Sequence, residues 1–365
     1  MTRTTEPIVI VGGGQSGLAA ARAALQAGLR PLILEASGEA AGSWPRYYDS
    51  LTTFSPARFS AMPGLDFDGD PDRYPHRDEV ADYLRRYATL LDAEIRTGTR
   101  VEAVESADER HPEGAFVVRT DSGQEIEAAA VVAASGSFAR PIRPELPGAG
   151  TFAGRVLHAA DYRDPKDLAG QRVVVVGGGN SAVQIAYELA GAAERVSVAS
   201  RAPLAFLPQR RDGRDVHHWL VASGFDDLPP AWLIHHVRAR LVMDVGDYAA
   251  AVRDGRLVRR PMFTALDGEH VVWADGERET VDVVLLATGY LPDLDYLAPL
   301  GALDEHGLPV HQGGLSLTRP GLAYLGLEFQ RSFASNTLRG VAADAAHIMG
   351  PLAAHARRAP AQVGL

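Results

Sequence analysis

The sequence predicts an α/β protein that carries one strand–turn–helix–strand unit twice, and three observations predict it. A β-branched run, Ile8 to Val11, enters the glycine cluster GGGQSG and then an alanine-rich stretch of helical periodicity. The same order returns at Val173 to Val176, GGGNSA and a helical pattern to about Ala190. Each unit is followed by a hairpin and an apolar strand closing on small residues, Ala134-Ser135-Gly136 in the first and Ala287-Thr288-Gly289 in the second. Two motifs repeated in one order indicate a duplicated fold. The chain is therefore expected to hold two Rossmann-like dinucleotide-binding domains.

In the first unit Gly28 reads as the helix stop, and Leu32, Ile33 and Leu34 as a buried strand ending at Glu35. Residues 42–67 are rich in aromatics, Ser, Pro and Gly and read as a loop-rich excursion. RDEVADYLRRYATLL places Val80, Tyr83, Leu84, Tyr87 and Leu91 near one helical face. Hairpin turns are expected at Asp121-Ser122-Gly123 and at Asp275-Gly276. The proline-rich RPIRPELPGAG reads as a crossing between domains. In the second unit a strand is expected from Val196 to Ala199, and residues 203–265 read as an irregular insertion with basic clusters such as Gln209-Arg210-Arg211.

At 365 residues the chain has room for two domains with real cores, and its 46% apolar and 22% charged content is that of a globular protein. A formal net charge of −10 argues against nucleic-acid or anionic-membrane partners. The absence of cysteine excludes disulfides, thiolate zinc, iron–sulfur clusters and a redox dithiol, and no metal site is expected. There is no run of roughly 18 apolar residues and no apolar leader, so a cytoplasmic protein is expected. A homodimer is compatible with the chain but does not follow from it.

Gly12-x-Gly14-x-x-Gly17 follows a strand and opens a helix. The first glycine permits the turn, the second lets the backbone approach a pyrophosphate, and the third lets helix and strand close up. The free N–H groups and positive end of that helix, which begins with Gln15 and Ser16, suit phosphate. Glu35, followed by Ala36, ends the next strand and is placed to accept ribose hydroxyls. The second fingerprint is Gly177-x-Gly179-x-x-Ala182, with Asn180 and Ser181 inside it. Its strand ends on Ser200-Arg201, where an acid is missing. An arginine attracts the 2′-phosphate that a carboxylate repels, so NADPH is preferred to NADH. The bland reading of Arg201 is a solvated strand-end charge. Two nucleotide folds imply hydride passing from a nicotinamide to a second redox cofactor, FAD, held by the glutamate-bearing fold.

Between the fingerprints lies TFAGRVLHAADY, with Phe152, Gly154, His158 and Tyr162 in F-x-G-x-x-x-H-x-x-x-Y spacing. Taken with GGGQSG, GSW at 42–44, GGGNSA and ATGY at 287–290, in that order, the chain resembles the flavin-containing monooxygenases over nearly its whole length, including their short bacterial and plant auxin-forming branches. Tyr162, where Baeyer–Villiger relatives carry Trp, favours the heteroatom-oxidising branch. The resemblance implies an FAD domain from residues 1–150 and 283–365 with an NADP domain, 151–282, inserted, and an active site in the cleft between them. It implies a cycle in which NADPH reduces FAD, the flavin forms a C4a-(hydro)peroxide, and a soft nucleophile such as a sulfide or amine nitrogen takes the oxygen. The motif would hold the two folds in register, with His158 a positioner or a satisfied linker histidine.

The resemblance also places Gly42, Ser43 and Trp44 along the flavin, Val101 by the adenine, Ala134 and Gly136 near the FAD phosphates, and Ala287, Thr288 and Gly289 at the return crossing. Asn336, Thr337 and Leu338 would lie beside the isoalloxazine. Core packing is the plain alternative for Trp44, and a hydroxyl cap for Thr337. SLTTFSPARFS lacks the asparagine that several relatives place by the flavin, so Thr52, Thr53 or Ser55, or else a water, is expected to cover part of that role, and NADPH oxidation is expected to leak hydrogen peroxide. A disulfide reductase fails for want of cysteine. A flavin reductase passing electrons to oxygen, quinone or ferredoxin and a nucleotide-sensing module are the rivals. No residue selects the substrate.

Overall fold

The computed structural model describes residues 6–107, 115–236, 241–245 and 247–358, with the side chains of 234–236 outside that description. The first sheet runs in the order His311–Gln312, Leu315–Ser316, Leu322–Tyr324, Ala130–Ala133, Ile8–Val11, Pro31–Leu34, Glu94–Arg96. From Leu322–Tyr324 to Glu94–Arg96 the pairing is parallel throughout. Strands from both ends of the chain therefore share one sheet. The second sheet, Val258–Arg260, Arg195–Ala199, Arg172–Val176, Val283–Leu286, Arg155–His158, is all parallel.

The duplication extends to the packing. A parallel strand buried on both faces sends alternate side chains to opposite layers. Ile8 and Ile10 join the helices Gln15–Gln26 and Val341–Arg358 on one face, while Val9 and Val11 meet the antiparallel strands Val101–Ser106, Phe116–Thr120 and Glu125–Ala128 on the other. In the second sheet Val173 and Val175 face the helix Asn180–Leu189, while Val174 and Val176 face a layer holding Phe263, Leu266, Val271 and Trp273. That layer includes the hairpin strands Ala265–Asp267, His270–Val272 and Arg278–Thr280.

Three local expectations change. The helix Arg77–Thr89 ends before Leu91, which is only half-buried against the core. The strand Val283–Leu286 lies in the second sheet, between Arg172–Val176 and Arg155–His158, so a boundary at 282 would cut that sheet. The 203–265 stretch is more ordered than its sequence suggests: Ala205–Pro208 pairs in parallel with Leu241–Asp244, short helices run Val216–Ala222 and Tyr248–Arg253, and Val258–Arg260 joins the sheet.

Candidate active site

The first cradle is built by close backbone approach. Gly12 has φ of +109°, and a methyl placed on it would lie 2.5 Å from the Ala134 carbonyl oxygen. A methyl on Gly17 would lie 1.8 Å from the Gly12 oxygen, so helix and turn touch with no room for a side chain. The GSW loop reaches the same point, since a methyl on Gly42 would be 2.9 Å from Gly14 Cα. Glu35 is buried and accepts from Gly13 N (2.6 Å) at Oε2 and from Ser37 N and Oγ (2.7 and 2.6 Å) at Oε1. A carboxylate has about four acceptor directions, so Oε2 keeps one for a ribose hydroxyl. A cavity of about 420 Å³ lined by Ser37, Gly38, Glu39, Gly42, Pro45 and Arg46 opens at this end. These glycines and the acid fit the adenosine and pyrophosphate of FAD.

Gln15 links two other expected contributors. Its Nε2 donates to the Asn336 carbonyl at 2.8 Å, and its Oε1 accepts from Trp44 Nε1 at 3.1 Å. Trp44 also packs against the first core, the plainer of its two readings. Ser16, buried, lies so near Gly326 that a methyl there would be 2.0 Å from Ser16 Oγ. Thr337 donates to Ala334 O (2.6 Å) and accepts from Gly340 N (3.3 Å), the hydroxyl turn that leads into the C-terminal helix. Leu338 and Val101 are buried in cores, Gly136 turns at φ of +87°, and Ala36 is exposed. Thr53 donates its proton to Ser55 O at 2.8 Å, and Ser55 Oγ meets Ser60 Oγ at 2.8 Å. Thr53 thus offers lone pairs but no free proton to a neighbour, and Thr52 is exposed.

The second cradle repeats the first contact: a methyl on Gly177 (φ +153°) would lie 2.5 Å from the Ala287 oxygen. Ala182 replaces the third glycine and is tolerated, its Cβ 3.0 Å from that methyl position. Gly179 caps the helix that opens with Asn180 and Ser181, and Asn180 Oδ1 accepts from Met243 N at 2.8 Å. Ser200 is buried and Arg201 exposed. Arg259 was not foreseen. It donates to Ser200 Oγ (2.9 Å) and Ser200 O (2.8 Å), standing one strand away from Arg201. Its signal was the LVRR run, readable only once that run is known to pair beside residues 197–199. Arg260 is taken by Glu277 (2.6 Å), Asp275 and Glu279 and lies over Trp273.

The four motif residues straddle the edge strand Arg155–His158. Phe152 packs into one layer of the second domain and Tyr162 into the other, where its hydroxyl donates to Glu188 at 2.9 Å. A methyl on Gly154 would strike the Phe152 ring at 2.5 Å and Asp282 O at 2.6 Å. His158 is fully buried; its Nδ1 accepts from Ala160 N (3.0 Å), which fixes Nε2 as the donor toward Gly289 O (3.2 Å). Burial, then the charge of Arg143, holds its pKa below the usual imidazole value. The imidazole is thus anchored between its own strand end and the Gly289 crossing. Thr288 donates to Ile142 O (2.5 Å), Ile142 N donates to Gly289 O (2.9 Å), and Tyr290–Leu291 pairs with Arg140–Pro141, so the two crossings form one ribbon.

Other seam residues carried no sequence signal. Tyr48 packs in the second domain's core and donates to Gln184 at 2.6 Å, and Arg163 and Arg77 both donate to Tyr47 O. Buried Asp215 accepts from His217 N (2.8 Å), Gln209 Nε2 (2.7 Å) and Tyr74 OH (2.5 Å), and lies 2.7 Å from His217 Nδ1. Burial would raise its pKa, but the bonds from His217, Gln209 and Tyr74 outweigh it and hold the carboxyl at about 2. Gln209 Nε2 also reaches Phe54 O at 2.8 Å, tying the insertion to the Thr53 loop. The two arginines beside Gln209, Arg210 and Arg211, are both exposed.

Residues 9–222 match the family described as pyridine nucleotide-disulphide oxidoreductase. An uncharacterized oxidoreductase, CzcO-like, of Geobacillus kaustophilus is 30% identical over 95% of this chain and 98% of its own. The indole-3-pyruvate monooxygenase YUCCA1 of Oryza sativa subsp. japonica is 31% identical over 77% of this chain and 76% of its own. A flavin-containing monooxygenase structure from Stenotrophomonas maltophilia superposes with a TM-score of 0.80 at 31% identity, covering 96% of this chain and 98% of that one.

Proposed function

The chain belongs to the pyridine nucleotide-disulphide oxidoreductase family and is an NAD(P)H-dependent flavin monooxygenase; from that premise we propose that NADPH is its reductant, FAD its flavin, and a sulfide sulfur or amine nitrogen its point of oxygenation. The observation that carries the cofactor assignment is the paired cradle. Two equivalent turns close on Ala134 and Ala287, yet one strand ends on Glu35 and the other on Ser200-Arg201. The acid suits a bare ribose and the arginine a 2′-phosphate. With no cysteine in the chain, the dithiol relay of disulfide reductases has no carrier.

On this reading Gly12, Gly14 and Gly17 shape the FAD pyrophosphate site, Glu35 holds the ribose, and Gln15 locks Trp44 and the Asn336 segment along the ring. FAD held in this cradle would supply the oxygen-activating chemistry. Gly177, Gly179, Asn180 and Ser181 receive the NADP pyrophosphate, and Arg201 with Arg259 faces its adenosine. NADH is the weaker alternative. The motif and the crossing ribbon hold one cradle against the other. We divide the chain at residues 1–150, 151–286 and 287–365, moving the second cut past the strand Val283–Leu286. Among the described residues no helix is long and apolar enough to cross a membrane; a cytoplasmic setting and small-molecule partners complete the proposal.

The test is turnover of a dialkyl sulfide and a tertiary amine under isotope-labelled dioxygen. One labelled oxygen in the product per NADPH consumed is expected. NADPH oxidation that proceeds with a quinone under anaerobic conditions and yields no labelled product in air would overturn the monooxygenase assignment in favour of a reductase.

A further inference from the structure

Phe329 is a bulky residue at φ of +53°, and it is 42% exposed. Such a conformation costs roughly 1–3 kcal/mol outside glycine and persists only where neighbours impose it. They do so on both sides here. Ser137 Oγ donates to Gly326 O (2.8 Å) and accepts from Glu328 N (3.1 Å). Buried Ser335 Oγ accepts from Arg331 N (3.0 Å) and Ser332 N (2.9 Å). The strained residue between these clamps turns an aromatic ring outward instead of burying it.

Two further rings stand beside it. Phe333 lies 6.2 Å from Phe329 by ring centroids, and Phe225, from the insertion, meets Phe333 edge-on at 5.0 Å. Both are half-buried. Phe225 is fixed because Asp226 pairs with Arg339 through two bonds of 2.7 and 2.8 Å and its carbonyl accepts from Ala334 N. Phe333 is three residues from Asn336, whose carbonyl is bonded to Gln15. The nearby arginines are taken, Arg339 by Asp226 and Arg331 by Asp344, and the other flanking charges, Asp227 and Glu328, are exposed carboxylates.

We propose that Phe225, Phe329 and Phe333 form an aromatic subsite, at the junction of the insertion with the Asn336 segment, that takes the uncharged aryl group of the substrate. This rests on the monooxygenase reading and makes aryl sulfides and aryl amines the preferred substrates within it. Ring faces and edges attract another ring, while the closed ion pairs leave no counter-ion for a carboxylate.

Saturation-transfer NMR on the FAD-loaded protein reads binding whether or not turnover occurs. Methyl phenyl sulfide is expected to bind, and benzoate to bind at least about fivefold more weakly. Phe329→Ala and Phe333→Ala should each weaken methyl phenyl sulfide by about fivefold to tenfold. Phe329→Gly, which relieves the backbone, should lose binding equally, separating the ring from the strain; FAD content reports folding. Variants that bind like the wild type overturn the subsite and leave the monooxygenase reading standing. Ring-dependent binding with no labelled oxygen in the sulfoxide supports the subsite while removing that reading.

Discussion

At the residue scale, the two cradles form a natural pair of variants. Gly17 cannot carry a methyl without driving it into the Gly12 oxygen, while the equivalent Ala182 already carries one. Gly17→Ala should therefore cost roughly 3 kcal/mol or more and abolish FAD retention, read by flavin absorbance after gel filtration. Ala182→Gly should cost only about 1 kcal/mol, the usual helix penalty. Arg201→Gln should raise the KM for NADPH at least about tenfold, a charge-assisted phosphate contact, with little change for NADH. An equal loss for both nucleotides would return Arg201 to the solvated surface. The positions of the two fingerprints, Glu35 and Arg201 were legible because each sits at a fixed offset from a strand, while their nucleotide roles are proposals. Arg259 was not, because its value depends on which strand lies beside it.

At the scale of elements, the edge strand Arg155–His158 explains a spacing that fits neither helix nor strand. Its residues are divided among two layers and a crossing: Phe152 above, Tyr162 below, His158 at the end. Gly154 is in the pattern because Phe152 folds back over it. His158 also sets a pH dependence. Its folded pKa is depressed by burial, so below its ordinary value of about 6.5 the unfolded chain binds the extra proton first. Stability thus falls as pH drops from about 7 toward the folded value. The melting temperature of His158→Asn should vary less over that window than the wild type's. Asp215 has the same sign at lower pH. Its carboxyl stays ionised down to about 2 in the fold, so it contributes on the order of 2 kcal/mol near neutrality, lost as acid reaches that value.

At the scale of the whole molecule, the sequence showed two nucleotide folds but not what closes one upon the other. Tyr48 with Gln184, Gln209 with Phe54, and Asp226 with Arg339 join segments far apart in the chain and free of any periodic pattern. Asp226→Ala would leave Arg339 buried without its partner, and a loss of about 3 kcal/mol is expected, with faster proteolysis within residues 203–265. The Thr53 loop bears on coupling. Its hydroxyl proton is already given to Ser55, so a measurable yield of hydrogen peroxide per NADPH without substrate is expected; near-zero peroxide would show that another group supplies the protection. The stitched ribbon at Arg140–Pro141 and Tyr290–Leu291 has a mechanical meaning. Two separate linkers would pin the inserted body at two points, whereas fused linkers act as a single pivot. Swivelling about it spares every bond in the ribbon and strains the cross-links made outside it, such as Asp226 with Arg339. Asp226→Ala should therefore quicken amide exchange in the inserted body while Ile142, in the axle, keeps its protection.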